Sequence, residues 1–251
     1  MHKGEESPID RLNLGPLSPG QADLLLDDLP EERVKMTEDE LRRKTEDWER
    51  WSCDFNKAFT LVLVRDKWGQ YAILRRADSG KGPHLDRTIN LYGGKIEAED
   101  ETIQAAARRE LLEETGMETI SLRPFAIVYI KKQGNWLIYF DAMTDNIYNM
   151  SPAGREGYAI AGRLSDIGIM AALEVGSGNS GITTGTVKAL NLWSNGWETI
   201  WFGEQEDDLS ELRIVEFPDA VKEELMSRFL NNITNKTQTK TVKNIGINDH
   251  F

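Results

Sequence analysis

The feature that most constrains this chain is a cluster of carboxylates on a predicted helix. Residues 102–115 have the pattern of a helix, and Gly116 is the residue type expected just past a helix end. Within this helix Glu110, Glu113 and Glu114 stand at i, i+3 and i+4, so their side chains project from one face. Carboxylates held this close repel one another unless a cation compensates them, and hard divalent ions such as Mg²⁺ bind such oxygen ligands. This face of the helix is therefore a candidate metal-binding site.

The apolar residues of the same helix predict how it packs. Ile103, Ala107 and Leu111 form one stripe beside the carboxylates, and Ala105 with Leu112 forms a second strip nearly opposite. A helix with two apolar strips is packed on more than one side, so we expect the carboxylates to border a cleft.

Two glycines, Gly93 and Gly94, precede the helix. Glycine lets the backbone approach other groups closely, and an accessible carbonyl oxygen can serve as a further ligand for a hard cation. Taken alone, the three glutamates fit a solvated surface helix of an acidic protein better than a metal site. The longer pattern around them reverses that preference.

Residues 94–117 resemble the Nudix box, the signature of a family of hydrolases. In that box a glycine is followed after five residues by a glutamate, and after seven more by Arg-Glu-hydrophobic-any-Glu-Glu-any-Gly-hydrophobic. Residues 109–117 match the second part at every specified position, and Glu101 lies eight residues before Arg109. A chance match of this length is very rare.

One spacing departs from the Nudix box. Six residues separate Gly94 from Glu101, where the family has five. We place the additional residue in the loop of residues 98–100, because loops absorb an insertion that would rotate the face of a helix.

The resemblance implies metal ligands, catalytic residues and a supporting ion pair. The implied ligands of Mg²⁺, or alternatively of Mn²⁺, are Gly94, Glu110, Glu113 and Glu114. The implied catalytic residues are Arg109, Glu110, Glu113 and, as a base outside the box, Glu156. Arg109 and Glu101 are expected to pair and orient the helix. Asp166 and Glu174 are rivals for the base, and Glu156 also fits an ordinary surface position.

The same resemblance implies the fold and the reaction. We expect an α/β fold, an α/β/α sandwich with a mixed sheet. The expected activity is metal-dependent cleavage of a nucleoside diphosphate linked to another moiety, for example a nucleotide sugar such as ADP-ribose or a nucleoside triphosphate, oxidised forms included. The alternative is a non-catalytic nucleotide-binding sensor or regulator, which would be expected to lose glutamates that this chain keeps. A helical adaptor would leave the spacing unexplained.

Charge and composition narrow the partners. The formal net charge is -12 over 251 residues, which argues against binding a nucleic-acid polymer and leaves a small nucleotide substrate open. Cys53 is the only cysteine, so an internal disulfide is excluded. The sequence contains neither a signal-peptide pattern nor about 18 successive apolar residues, so we expect a cytoplasmic protein without a membrane span. A homodimer is compatible with these features.

The rest of the chain divides into three predicted parts. Residues 1–55 form an extension with a helix that begins at Thr37, residues 56–204 form the hydrolase domain, and residues 205–251 form a helix from Pro218 and a polar tail.

Alternating and apolar runs predict the strands of the hydrolase domain, at 58–64, 71–74, 89–92, 119–131 and 135–143. The first two and the last two strands read as hairpins, 145–157 as a long loop, and 158–203 has no clear pattern. Arg75 and Arg76, at the end of the second strand, can reach substrate phosphates or remain solvated.

Overall fold

The computed structural model describes residues 37–51, 57–77, 88–97, 99–150, 157–163, 184–194, 200–207 and 212–227. The strands are β1 (Ala58–Asp66), β2 (Tyr71–Arg76), β3 (Ile89–Asn90), β4 (Ser121–Ile130), β5 (Asn135–Thr144), β6 (Gly157–Gly162), β7 (Trp201–Gln205) and β8 (Arg213–Ile214). The helices are α1 (Glu38–Trp51), α2 (Ile103–Thr115), α3 (Thr184–Ser194) and the described part of a last helix, α4 (residues 219–227).

One mixed sheet of eight strands forms the centre of the described structure. Its order is β3-β2-β1-β5-β4-β7-β8, and β6 pairs with β2. Strand β1 is parallel to β5 and β4 is parallel to β7, whereas the other pairs of named strands are antiparallel. The predicted mixed sheet is therefore confirmed.

Both predicted hairpins are present. The turn between β1 and β2 is held by Asp66, whose Oδ1 accepts hydrogen bonds from the backbone N–H groups of Trp68 and Gln70 at 2.9 and 3.0 Å. The turn between β4 and β5 contains Gly134 at φ 67°, a conformation that glycine adopts without strain. These local signals were sufficient because the residues of a hairpin turn are close in sequence.

Helices cover both faces of the sheet. Since side chains alternate along a strand, Val62 and Val64 of β1 face one core while Leu63 faces the other. The first core lies between the sheet and helices α1, α2 and α4, and the second lies between the sheet and α3. This arrangement confirms the predicted α/β/α sandwich.

Helix α1 begins as predicted and is part of the first core. The Thr37 hydroxyl accepts a hydrogen bond from the Glu40 amide at 3.3 Å, and the Glu40 carboxylate accepts one from the Thr37 amide at 2.8 Å. At the other end Trp48 packs edge-on against Trp136, Phe202 and Phe217, with ring centroids 5.0, 5.3 and 5.5 Å apart. The division of the chain at residues 55 and 204 remains a prediction.

The predicted long loop at residues 145–157 contains more structure than expected. A 3₁₀ turn covers Ile147–Asn149, and β6 begins at Gly157 and pairs with the whole of β2. Gly157 has φ 154°, and a Cβ there would lie 1.9 Å from the carbonyl oxygen of Arg75. The close approach of the two backbones therefore requires glycine, a constraint that is invisible without knowing the partner strand.

The C-terminal helix begins where Pro218 predicts it, because residues 219–227 are helical; its predicted extension to Leu230 lies outside the described residues. None of the helices that the structure describes has both the length and the apolar character needed to cross a lipid bilayer.

Candidate active site

Helix α2 carries the carboxylates, and its ends are fixed by local hydrogen bonds. The Thr102 hydroxyl accepts a hydrogen bond from the Ala105 amide at 3.0 Å, and Gly116 adopts a left-handed conformation with φ 69°. Ile103 and Leu111 are fully buried against the sheet. The predicted helix is confirmed. Its apolar stripe packs against the sheet and thereby fixes which residues of the helix face away from the sheet.

The predicted second apolar strip of α2 is wrong. Leu112 is 49% exposed, so the helix is packed against the sheet on one side only. The carboxylates consequently lie along the edge between the buried and exposed faces. Glu114 is buried at 8% exposure, whereas the side chain of Glu113 is 59% exposed and that of Glu110 lies between them at 15%.

The two glycines bring the backbone between strand β1 and the carboxylates. Gly93 has φ 135°, and a Cβ there would lie 2.0 Å from the carbonyl oxygen of Thr60. The Thr60 amide donates to the carbonyl oxygen of Gly94 at 2.9 Å, which leaves that oxygen one further lone pair. A Cβ on Gly94 would lie 2.6 Å from the carboxylate of Glu110. Gly94 therefore lies directly against the Glu110 carboxylate, and its role as a ligand remains a prediction.

The backbone of the same loop also holds the carboxylate of Glu114. Its Oε2 accepts a hydrogen bond from the Gly93 amide at 2.7 Å. Tyr92, the preceding residue, is buried beside it; burial, with a smaller contribution from the charge of Glu114, raises the pKa of Tyr92. The hydroxyl of Tyr92 is therefore protonated at neutral pH.

Arg109 connects the loop to the carboxylates. Its Nε and Nη2 donate to the two carboxylate oxygens of Asp100 at 3.0 and 2.9 Å, and Nη2 also donates to the carbonyl of Lys95 at 3.1 Å. Its Nη1 donates to Glu110 at 2.8 Å and to Glu113 at 3.4 Å. The Asp100 hydrogen bond, followed by those to Glu110, raises the pKa of Arg109 above its ordinary value.

The predicted ion pair between Arg109 and Glu101 is wrong, because Asp100 takes the position of the partner. Glu101 is exposed, and its side chain has no ion pair or hydrogen bond within the described part of the chain. Asp100 also accepts a hydrogen bond from the Glu97 amide at 2.8 Å. Burial would raise the pKa of Asp100, but the bonds from Arg109 and Glu97 outweigh it and hold this pKa below its ordinary value. Asp100, the shorter of the two acidic side chains, is thus the one that pairs with Arg109.

The donors on this face fit a hard divalent cation by their chemistry, because all of them are oxygen atoms and Gly94 leaves space beside Glu110 that a Cβ would fill. Among the described residues, however, no three acidic, histidine or cysteine side chains converge as a ready set of ligands. Arg109 accounts for this, since its Nη1 occupies oxygens of both Glu110 and Glu113. A cation at these carboxylates must compete with Arg109. The predicted base Glu156 and its rivals Asp166 and Glu174 lie outside the described residues.

A family model matches the part of the sequence that carries the site. The model of the NUDIX domain matches residues 54–152, which include β1 to β5 and helix α2. These residues form a Nudix domain. The Nudix domain indicates a hydrolase that acts on pyrophosphate bonds.

Solved structures with Nudix names are similar to the chain over about three fifths of its length. A MutT protein from Bacillus halodurans is 18% identical, with 64% of this chain and 99% of that chain covered and a TM-score of 0.41. A NUDIX hydrolase from Nitrosomonas europaea is 15% identical, with 59% and 78% covered and a TM-score of 0.47. A MutT protein from Methanosarcina mazei Go1 is 18% identical, with 57% and 95% covered and a TM-score of 0.41. No curated protein sequence matches the chain.

Proposed function

We propose that the chain is a Mg²⁺-dependent pyrophosphohydrolase that cleaves a nucleoside diphosphate linked to another moiety, or a nucleoside triphosphate. The observation that carries this proposal is the position of Gly94 against the Glu110 carboxylate, with the buried Glu114 held one residue away by the Gly93 amide. Oxygen donors from a loop and a helix are thereby brought together beside strand β1.

The proposed ligands of the cation are Gly94, through its carbonyl oxygen, and Glu110, Glu113 and Glu114. When bound, the divalent ion neutralises charge on phosphate oxygens and makes a water molecule more acidic. Mn²⁺ has the same preference for oxygen ligands and is the proposed substitute. Cation binding requires Glu110 and Glu113 to leave Arg109, and Glu113 can do so at little cost because its ion pair is long and exposed.

Arg109 is proposed to contact the substrate when Glu110 and Glu113 would hold the cation and no longer accept hydrogen bonds from its Nη1. Asp100 and the Lys95 carbonyl hold Nε and Nη2, so the guanidinium stays in place. Its Nη1 is then able to donate to a phosphate oxygen of the substrate, for which the guanidinium is well suited in charge and shape. In the free protein the same atom donates to Glu110 at 2.8 Å.

The proposed base is Glu156, which would take a proton from the attacking water. Support comes from its neighbour in the chain, Gly157, which lines a small cavity together with Glu114. Asp166 and Glu174 remain rivals.

The proposed substrate is a small nucleotide, with ADP-ribose-like nucleotide sugars and nucleoside triphosphates as the two classes to compare. The net charge of -12 supports a small anion whose charge a metal compensates, because a polyanion would be repelled over a larger surface.

The proposal is tested by assaying a nucleotide panel with Mg²⁺ and identifying both products by mass spectrometry, for the wild type and for Glu113→Gln. We expect hydrolysis at a pyrophosphate bond and a fall of kcat/KM on the order of 100-fold or more in the variant, since a proposed ligand of the cation that stabilises the transition state loses its charge. Glu118→Gln, an exposed glutamate beyond the helix, is the matched control and should retain activity. Tight binding of a nucleotide without turnover would instead favour a sensor.

A further inference from the structure

Tyr92 directly precedes the two glycines of the proposed metal site, and the proposed reaction gives its buried hydroxyl no role. Tyr92 is 1% exposed, and within the described structure its hydroxyl has no hydrogen-bond partner. A buried hydroxyl that lacks a partner is costly, so such groups in folded proteins are usually satisfied by protein atoms or by an ordered water. The position of Tyr92 therefore calls for a missing acceptor or donor.

A small cavity lies beside Tyr92. It has a volume of about 10 Å³, and Tyr92 and Glu114 are among the residues that line it. A volume of roughly this size accommodates one water molecule when two or more polar groups face it. Tyr92 and Glu114 both carry side-chain oxygens that can bind such a water.

We propose that this cavity holds one structural water that links the Tyr92 hydroxyl to Glu114, and that Tyr92 is thereby a positioning residue for this carboxylate. The inference rests on the proposed function in one respect, that Glu114 is a ligand of the cation. Glu114 is already held on one side by the Gly93 amide at 2.7 Å. A water on the side of Tyr92 gives it a second constraint, so the carboxylate is oriented before the cation arrives.

This arrangement has a defined consequence for cation binding. Removing a group that holds a metal ligand in its binding orientation commonly lowers the metal affinity about 10-fold to 100-fold. Loss of the Tyr92 hydroxyl should therefore weaken cation binding, while the reaction at saturating cation remains close to normal. A residue with a packing role only would lower stability and leave the affinity for the cation unchanged.

The experiment compares Tyr92→Phe with the wild type in the full chain. We expect the dissociation constant for Mn²⁺, measured by calorimetry or by electron paramagnetic resonance, to rise about 10-fold. We also expect the Mn²⁺ concentration for half-maximal activity to rise while kcat at saturating Mn²⁺ stays within twofold of the wild type. The matched control is Tyr139→Phe, a tyrosine buried in the core on the other side of the sheet, which should bind Mn²⁺ like the wild type.

A dry cavity would give a different result. Tyr92→Phe would then bind Mn²⁺ within twofold of the wild type and melt at a higher temperature, because the substitution removes a hydroxyl without a partner. An unchanged affinity of Tyr92→Phe for Mn²⁺ would overturn the inference. A high-resolution crystal structure of the wild type with an empty cavity would also overturn it.

A third variant separates this inference from the proposed function. Glu114→Gln should weaken Mn²⁺ binding on its own if Glu114 is a ligand. Unchanged binding in Glu114→Gln contradicts the ligand set, whereas weakened binding in Glu114→Gln with unchanged binding in Tyr92→Phe contradicts only the role of the tyrosine.

Discussion

At the scale of single residues, the pairing of Arg109 depends on the geometry of the loop before α2. The motif spacing points to Glu101, but Asp100 is the residue that the turn over 97–100 directs at the guanidinium. An aspartate reaches less far than a glutamate, so it pairs with Arg109 only because the loop is drawn in close. Counted forward from Gly94, the five intervening residues of the family pattern lead to Asp100, so the two halves of the pattern point to different carboxylates and the structure decides between them.

Substitution of Asp100 tests which carboxylate supports the helix. In Asp100→Asn we expect kcat/KM to fall about 10-fold to 100-fold, because Arg109 loses the charged partner that fixes its orientation. Glu101→Gln is the matched control, since it removes one negative charge at the next position and should retain activity and melting temperature. Equal losses in the two variants would show that charge in the loop, rather than the hydrogen bonds to Arg109, is responsible.

At the scale of secondary-structure elements, the sequence predicted those that carry their own signals. Helix α2, the two hairpins and the start of α1 depend on caps, turn residues and apolar periodicity within short segments. Strand β6 was missed because Gly157–Gly162, with glycine or alanine at four of its six positions, forms a strand through pairing with β2. The exposed face of α2 was also misjudged, because Leu112 follows the helical period and is nevertheless half-exposed. Tertiary contacts decide such cases.

Two neighbouring arginines of strand β2, Arg75 and Arg76, lie on opposite faces of the sheet, and the sequence predicts the same role for both. Leu74 lies in the core beneath α2 and Ile73 lies in the opposite core, so alternation places Arg76 on the α2 face and Arg75 on the other. Arg75 is accordingly found 5.8 Å from the ring of Tyr158, whose partner in the register is Arg75 itself. Arg76 is therefore the better candidate for a contact with substrate phosphate.

The two arginines form a matched pair for a kinetic test. In Arg76→Ala we expect KM to rise about 10-fold with a smaller change in kcat, because a charge-assisted hydrogen bond to phosphate is lost. Arg75→Ala removes the same charge from the opposite face and should leave KM within twofold. A larger effect on KM in Arg75→Ala would contradict the assignment of the faces.

At the scale of the whole molecule, the N-terminal helix and the Nudix domain share one core. Trp48 of α1 packs among aromatic rings of the sheet, and its Nε1 donates to the buried Glu204 of β7 at 2.8 Å. Lys44 and Lys131 contact the same carboxylate at 2.7 and 3.2 Å. The extension before the Nudix domain is thus attached to the far strands of the sheet through aromatic packing and a buried charge.

This attachment makes the stability of the molecule depend on pH. Burial would raise the pKa of Glu204, but the hydrogen bonds from Lys44 and Trp48 and the charges of both lysines outweigh it and hold the pKa below its ordinary value. A carboxyl whose pKa is lowered by folding stabilises the folded state above its ordinary pKa of 4.5, and this contribution is lost as the pH falls through the lower folded-state value.

Glu204→Gln should therefore lower the free energy of unfolding at pH 7 by about 1.5–3 kcal/mol, the range for a hydrogen bond to a charged group. Denaturant melts from pH 7 to pH 3 should show the difference from the wild type shrinking below about pH 4.5, because the wild type then loses the same charge. Asp207→Asn, which removes an exposed contact of 3.7 Å to Lys132, is the control and should cost less than about 0.5 kcal/mol. A difference that stays constant over this range would mean that Glu204 contributes packing rather than charge, and that α1 is held to the sheet by Trp48 alone.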